Sequence, residues 1–139
     1  MIRAHHRFAA EYTLDPTHVA HMAAALGDHN PVHRDAAYAA TTRYGRPIAS
    51  GPHTTGLLLG LTATHFSSFG PMVGLEFWVR FRRPIFADEA IRVEWLVIRV
   101  TPNERLKGDV VELRGRILGS DGRTAVGAKG SVLVQKARR

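Results

Sequence analysis

Between Gly27 and His33 the chain reads Gly-Asp-His-Asn-Pro-Val-His, which crowds a carboxylate, an amide and an imidazole (Asp28, Asn30 and His33) into six residues. Pro31 fixes its own φ and pushes Asn30 out of the helical region, so the three groups cannot lie along one regular helix face. They belong to a turn, where a carboxylate and an imidazole can point into one small space, as acid–base chemistry on a water molecule requires. A second stretch, Ser50-Gly51-Pro52-His53-Thr54, sets Gly51 eighteen positions after His33, at the start of a long apolar segment. The first stretch also fits a plainer reading. Gly27 would close a helix in the left-handed region, Asp28 and Asn30 would make side-chain-to-backbone turn bonds, and Pro31 would stiffen the loop.

The elements that must hold these residues follow from periodicity. Arg7 to Leu14 reads as a first strand. Asp15 and Pro16 then open a helix as N-cap and first helical residue. Val19, Met22, Ala23 and Leu26 make one buried stripe of it, Gly27 ends it, and His18 and His21 fall on its surface. Asp35 to Arg43 is alanine-rich and predicts a short helix, broken at Tyr44-Gly45-Arg46-Pro47. His53 to about Ser68 predicts the long helix, apolar on nearly all sides and therefore buried. Gly56 and Gly60 within it read either as room for a ligand or as close packing of a strand. From Pro71 the period changes to two, with Val73, Leu75, Phe77, Val79 and Phe81 on one face. Ala90 to Thr101, Val110 to Gly119 and Thr124 to Gln135 read as further strands, the last two joined by the hairpin signal Ser120-Asp121-Gly122-Arg123. Lys136 to Arg139 is a basic tail. Helices followed by four hairpin-connected strands predict an α+β domain in which one helix is embraced by an antiparallel sheet. Phe66, Phe69, Phe77 and Trp78 read as core, with the lining of an apolar tunnel as the alternative.

Composition narrows the function classes. A chain of 139 residues is expected to make one domain, residues 1–139. The absence of cysteine removes disulfides and thiolate chemistry and suits a reducing, cytoplasmic setting. The segment Met1 to Ala10 is charged and His-rich where a signal peptide would be apolar, and no stretch is long enough for a membrane span. The net charge of +7 comes mostly from arginines scattered over the strands between Glu76, Glu94 and Glu112. No basic run or aromatic stacking platform accompanies them, so nucleic acid is not expected as a partner. His29 and His33 have the spacing of a zinc-binding helix, but Pro31 lies between them, and no metal is expected.

The Asp28-x-Asn30-Pro31-x-His33 turn, Thr41-Thr42, the approach Arg46-Pro47-Ile48-Ala49-Ser50-Gly51, and Leu75-x-Phe77 with Phe81-Arg82-x-Pro84-Ile85 together resemble the MaoC-like dehydratases, the (R)-specific enoyl-CoA hydratase group. The resemblance runs over nearly the whole chain. It implies a single hot-dog domain, a long central helix wrapped by an antiparallel sheet of about five strands, in a homodimer or higher even oligomer. It also implies reversible addition of water to a trans-2-enoyl thioester, carried by coenzyme A or acyl carrier protein, to give the (R)-3-hydroxyacyl product without a cofactor. By the same resemblance Asp28 and His33 match the catalytic pair, Asn30 the orienting amide, and Gly51 the residue whose N–H serves the thioester oxyanion. Ser50 and His53 flank that position as candidate substrate-binding residues. Charge developing on the thioester oxygen would be held by the Gly51 amide and by the dipole of the helix it begins. Pro52 departs from the group's usual His-Gly-Met and removes one N–H there; for His53, a helix-start residue with no chemistry is the competing reading. Two rivals share the fold: an acyl-CoA thioesterase, and a non-catalytic subunit that binds acyl thioesters.

Overall fold

The computed structural model describes residues 1–136; the end of the expected basic tail, 137–139, lies outside the described residues. The chain runs β1 (Arg7–Thr13), α1 (Pro16–Ala25), a single 3-10 turn (Pro31–His33), α2 (Ala36–Ala40), α3 (Gly51–Phe66), β2 (Met72–Phe81), β3 (Ala90–Asn103), β4 (Gly108–Leu118) and β5 (Thr124–Gln135). Local chemistry sets the helix starts. Asp15 caps α1 by accepting from the His18 N–H at 3.0 Å, Asp35 caps α2 through the Tyr38 N–H at 3.0 Å, and Ser50 caps α3 through the His53 N–H at 3.2 Å. That last cap starts α3 at Gly51, two residues before the expected position. Gly27, at φ +78°, closes α1 in the left-handed conformation. Leu26, expected in the buried stripe of α1, is instead the C-cap and 48% exposed, because the helix has already left its packed face there.

All strand pairs are antiparallel, in the order β1-β3-β4-β5-β2. The expected hairpin between β2 and β3 does not form. β2 lies at the far edge against β5, and residues 82–89 cross the end of the sheet to reach β3. That crossing is held by two bonds to the segment before α3, Ala49 N–H to Ile85 O at 2.7 Å and Ala87 N–H to Pro47 O at 3.0 Å, and Ile85 and Ala87 are buried in it. The alternation expected through β2 also breaks. A register shift between Gly74 and Glu76 turns Val73 (52% exposed) and Leu75 (46%) outward.

α3 lies across the concave face of the sheet and buries Thr54, Leu58, Thr62 and Phe66, one residue per turn. The helix, expected to be buried because most of its faces are apolar, is covered on one side only, the side that the sheet wraps. Gly56 and Gly60 face open space, with nothing within 4 Å of where a Cβ would stand, so close packing of a strand does not explain them. The sheet curves around α3 because two large rings lie across glycines of neighbouring strands. A Cβ on Gly115 would stand 2.5 Å from the Trp95 ring, and one on Gly130 would collide with Phe77. Trp95 is then pinned to the helix by its indole N–H, which donates to Leu58 O at 3.0 Å. Among the described residues no helix is long and apolar enough to cross a membrane.

Candidate active site

The turn after α1 is rigid because its side chains cap its own backbone. Asp28 Oδ1 accepts from the Asn30 N–H at 3.1 Å, and Asn30 Oδ1 accepts from the Val32 N–H at 3.2 Å. Pro31 occupies the first position of the 3-10 turn, where no donor is needed. These are the bonds of the plainer reading, and they leave Asp28 Oδ2 directed at His33 Nε2, 3.1 Å away. The carboxylate is 22% exposed and the imidazole 6%.

His33 is held from its other side by Ile48, whose carbonyl lies 2.8 Å from Nδ1. A carbonyl oxygen only accepts, so Nδ1 carries a proton, and in the neutral ring the Nε2 lone pair faces Asp28. The Nε2–Oδ2 contact is therefore a hydrogen bond only when one proton sits between the two groups. The Ile48 N–H in turn bonds Val32 O at 3.2 Å, and Ile48 bridges to Phe86. The residue that orients His33 thus stands three positions before Gly51.

Gly51 begins α3 with an unusual amide inventory. Pro52 has no N–H, the His53 N–H is taken by Ser50 Oγ, and the Thr54 N–H is taken by Ser50 O at 3.1 Å. Among the described residues the Gly51 N–H has no partner, so the first turn offers a single free donor in the positive end of the helix dipole. It opens on a cavity of about 370 Å³ whose walls include His33, Ile48, Thr54 and Phe81. The tip of the Phe81 ring lies 3.1 Å from where a Cβ on Gly51 would stand, so any larger residue here would press on that ring.

Fold and site therefore bring His33 and Gly51 to one cavity, with Asp28 entering through its contact with His33. Asn30 faces its own turn, and Ser50 is fully buried as the α3 cap. His53 turns away from the cavity toward α1, its ring edge-on to His18 at 5.6 Å. The roles of several wall residues were not legible in the sequence: Ile48 acts through a backbone carbonyl, and Arg43, Tyr44, Arg82 and Arg83 meet at the cavity only because residues 82–89 cross beside the α3 start.

His53 carries a consequence for pH. It is 4% exposed, and its Nδ1 has no hydrogen-bond partner among the described residues. Burial first, and repulsion from His18 second, push its pKa below the ordinary value; burial and His6 do the same to His65. The unfolded chain therefore binds protons at these two rings that the folded chain refuses, so ν_U exceeds ν_N as pH falls through about 6.5. Stability is at its full value above that pH and declines below it. The urea midpoint should be lower at pH 5.5 than at pH 7.5, and His53→Gln should flatten the difference; an unchanged pH slope in that variant would contradict the assignment.

Comparison with known proteins places these residues in context. Residues 1–116 match the family described as MaoC like domain. The chain is 33% identical over 108 residues to an (R)-specific enoyl-CoA hydratase of Aeromonas caviae, covering 78% of this chain and 77% of that one. It is 30% identical over 105 residues to a 3-hydroxybutyryl-CoA dehydratase of Methylorubrum extorquens, a match spanning 70% of this chain and 66% of that protein. Among solved structures, the (R)-hydratase from A. caviae involved in PHA biosynthesis superposes with a TM-score of 0.86 at 26% identity, covering 96% of this chain and 97% of that one.

Proposed function

Because this chain belongs to the MaoC-like domain family, we propose that it is a hydro-lyase that adds water reversibly to a trans-2-enoyl-CoA to give the (R)-3-hydroxyacyl-CoA. The observation that carries the reading is the Asp28–His33 contact at 3.1 Å beside a cavity into which the unpartnered Gly51 amide opens. The whole chain, residues 1–139, is taken as one such domain.

The chemistry follows from proton positions. One water sits against Asp28 Oδ2 and His33 Nε2, with the single shared proton on Nε2. As the water oxygen bonds to Cβ of the enoyl group, its proton passes to the Asp28 carboxylate. The π electrons move onto the thioester carbonyl, and the resulting oxyanion is held by the Gly51 N–H. The Nε2 proton then goes to Cα, the carbonyl re-forms, and the proton on Asp28 returns to Nε2. No proton is gained or lost by the pair. Both protons reach the substrate or leave the water from one side, which gives addition to a single face. Asn30 keeps the Asp28 turn in register through its own backbone N–H and amide oxygen, and Ser50 fixes the α3 start that presents Gly51. His53 supports the helix start from behind.

The test is loss of the conjugated enoyl absorbance with crotonyl-CoA and a longer 2-enoyl-CoA, with chiral analysis of the product. Formation of the (R)-3-hydroxyacyl-CoA is expected. Release of free coenzyme A would replace the reading with the thioesterase, and binding without turnover would replace it with the non-catalytic subunit.

The working unit is a homodimer formed through β2, and its place of work is the cytoplasm, in keeping with a chain that lacks cysteine. Support for the dimer comes from the sheet edge: Val73, Leu75, Trp78 and Phe81 are between 46% and 55% exposed on this one edge strand, a concentration of apolar side chains that an unpaired edge normally avoids. Light scattering should give twice the chain mass for wild type and the single mass for Leu75→Asp. A wild-type monomer would rule the dimer out.

A further inference from the structure

The cavity that opens at Gly51 has an outer wall unrelated to acid–base chemistry. Arg43, Arg82 and Arg83 line it together. Among the described residues Arg46, Arg92, Arg99 and Arg116 each pair with a carboxylate, whereas Arg43, Arg82 and Arg83 have none within 4 Å. Arg43 is steadied by Tyr44, with its guanidinium carbon 5.2 Å from the ring centre and an Nη2 to hydroxyl distance of 3.3 Å. Beyond Arg83 and Pro84 the surface continues into a second hollow of about 350 Å³, which Arg46 and Arg123 line together with Glu89 and Asp121.

Three like charges gathered at one opening without counter-charges repel each other, and nothing in the hydration step uses them. Guanidinium forks match phosphate oxygens two at a time, and in a partly enclosed site such bonds are among the stronger ones available. The number of charges discriminates between carriers. A pantetheine arm on a carrier protein brings one phosphodiester to the site. Coenzyme A brings a diphosphate and a ribose 3′-phosphate on a nucleotide that needs a hollow of its own.

Resting on the reading of this cavity as an enoyl-thioester site, we propose that Arg43, Arg82 and Arg83 form a phosphate-reading rim that binds the nucleotide end of coenzyme A. They set the preference of the enzyme for the free coenzyme A thioester over a pantetheine or carrier-protein thioester.

The test has two arms. In the first, adenosine 3′,5′-bisphosphate is titrated calorimetrically into wild type and into Arg43→Gln, Arg82→Gln and Arg83→Gln, without any chemistry. Wild type should bind it with an affinity that falls with salt, and each substitution should weaken binding by about tenfold. In the second, kcat/KM is compared for crotonyl-CoA, crotonyl-pantetheine and the crotonyl thioester of an acyl carrier protein. The preference for the coenzyme A ester should fall by about tenfold or more in each variant, with the loss carried by KM rather than kcat, and Arg83→Lys should recover part of it. The proposal is overturned if wild type does not bind the bisphosphate, if the variants bind it as wild type does, if the coenzyme A and pantetheine esters lose equally, or if the carrier-protein thioester is the better substrate. Arginine-dependent bisphosphate binding in a protein that hydrates none of the esters would uphold the rim while refuting the hydratase chemistry.

Discussion

Asp28→Asn is expected to lower kcat/KM for hydration of a 2-enoyl-CoA by about 10²–10⁴ while leaving the unfolding midpoint close to that of wild type. The reason for the separation is structural. Asn retains an oxygen that can accept from the Asn30 N–H, the bond at 3.1 Å that shapes the turn. It cannot take a proton from water, and its NH₂ can donate to the Nε2 lone pair in place of the shared proton. His33→Gln should have an effect of similar size, because it removes the group that delivers a proton to Cα. The double variant should be little worse than either single one, since the two residues pass one proton between them and act as a unit. The measurement is the initial rate of absorbance loss on a 2-enoyl-CoA, paired with urea unfolding of each variant. A fall of less than tenfold in Asp28→Asn would remove this residue from the reaction.

The largest loss of stability should come from Trp95→Ala, at about 3–5 kcal/mol by analogy with other buried aromatic truncations. Trp95 is 1% exposed, at the centre of the core cluster that includes Leu58, Phe66, Val93 and Leu113. Truncation leaves a void between sheet and helix and orphans Leu58 O from the indole donor at 3.0 Å. It also empties the space across Gly115, over which the Trp95 ring lies. Trp95→Phe separates the terms, keeping most of the ring and losing the N–H, so about 0.5–1.5 kcal/mol of the loss should belong to the hydrogen bond. Urea unfolding followed by tyrosine fluorescence or circular dichroism checks both variants. A loss below about 1 kcal/mol for Trp95→Ala would mean that the helix is held to the sheet elsewhere.

The apolar spacing of α1, the period-two runs and the Asp121-Gly122 turn were legible in the chain because each depends on residues within a few positions of one another. The same holds for the Asp28-to-His33 turn: Pro31 and the short side chains of Asp28 and Asn30 dictate its conformation locally, whatever packs around it. The expectation for α3 was right about its existence and about the sheet that wraps it, and overstated only how much of its surface is covered. Composition shows an apolar helix, but whether a sheet covers one side or all of it depends on curvature, and Trp95 and Phe77 lie across Gly115 and Gly130 of the strands that become their neighbours only in the folded sheet order. The β2–β3 hairpin failed for a related reason. Strand order is decided by what the connecting residues bury, here Ile85 and Ala87 against the approach to α3.

At the site, side-chain identity named Asp28 and His33 from the sequence alone, since carboxylate and imidazole carry their chemistry with them, whereas Gly51 was named only through the family resemblance. Only the tertiary structure determined that His33 is oriented by the Ile48 carbonyl, that Ser50 and Pro52 leave Gly51 as the one free amide of the first turn, and that His53 faces α1. It alone gathered Arg43, Arg82 and Arg83 at one opening. Backbone donors and acceptors are the same in every residue, and arginines distant along the chain share no local pattern, so their roles exist only after the chain has closed on itself.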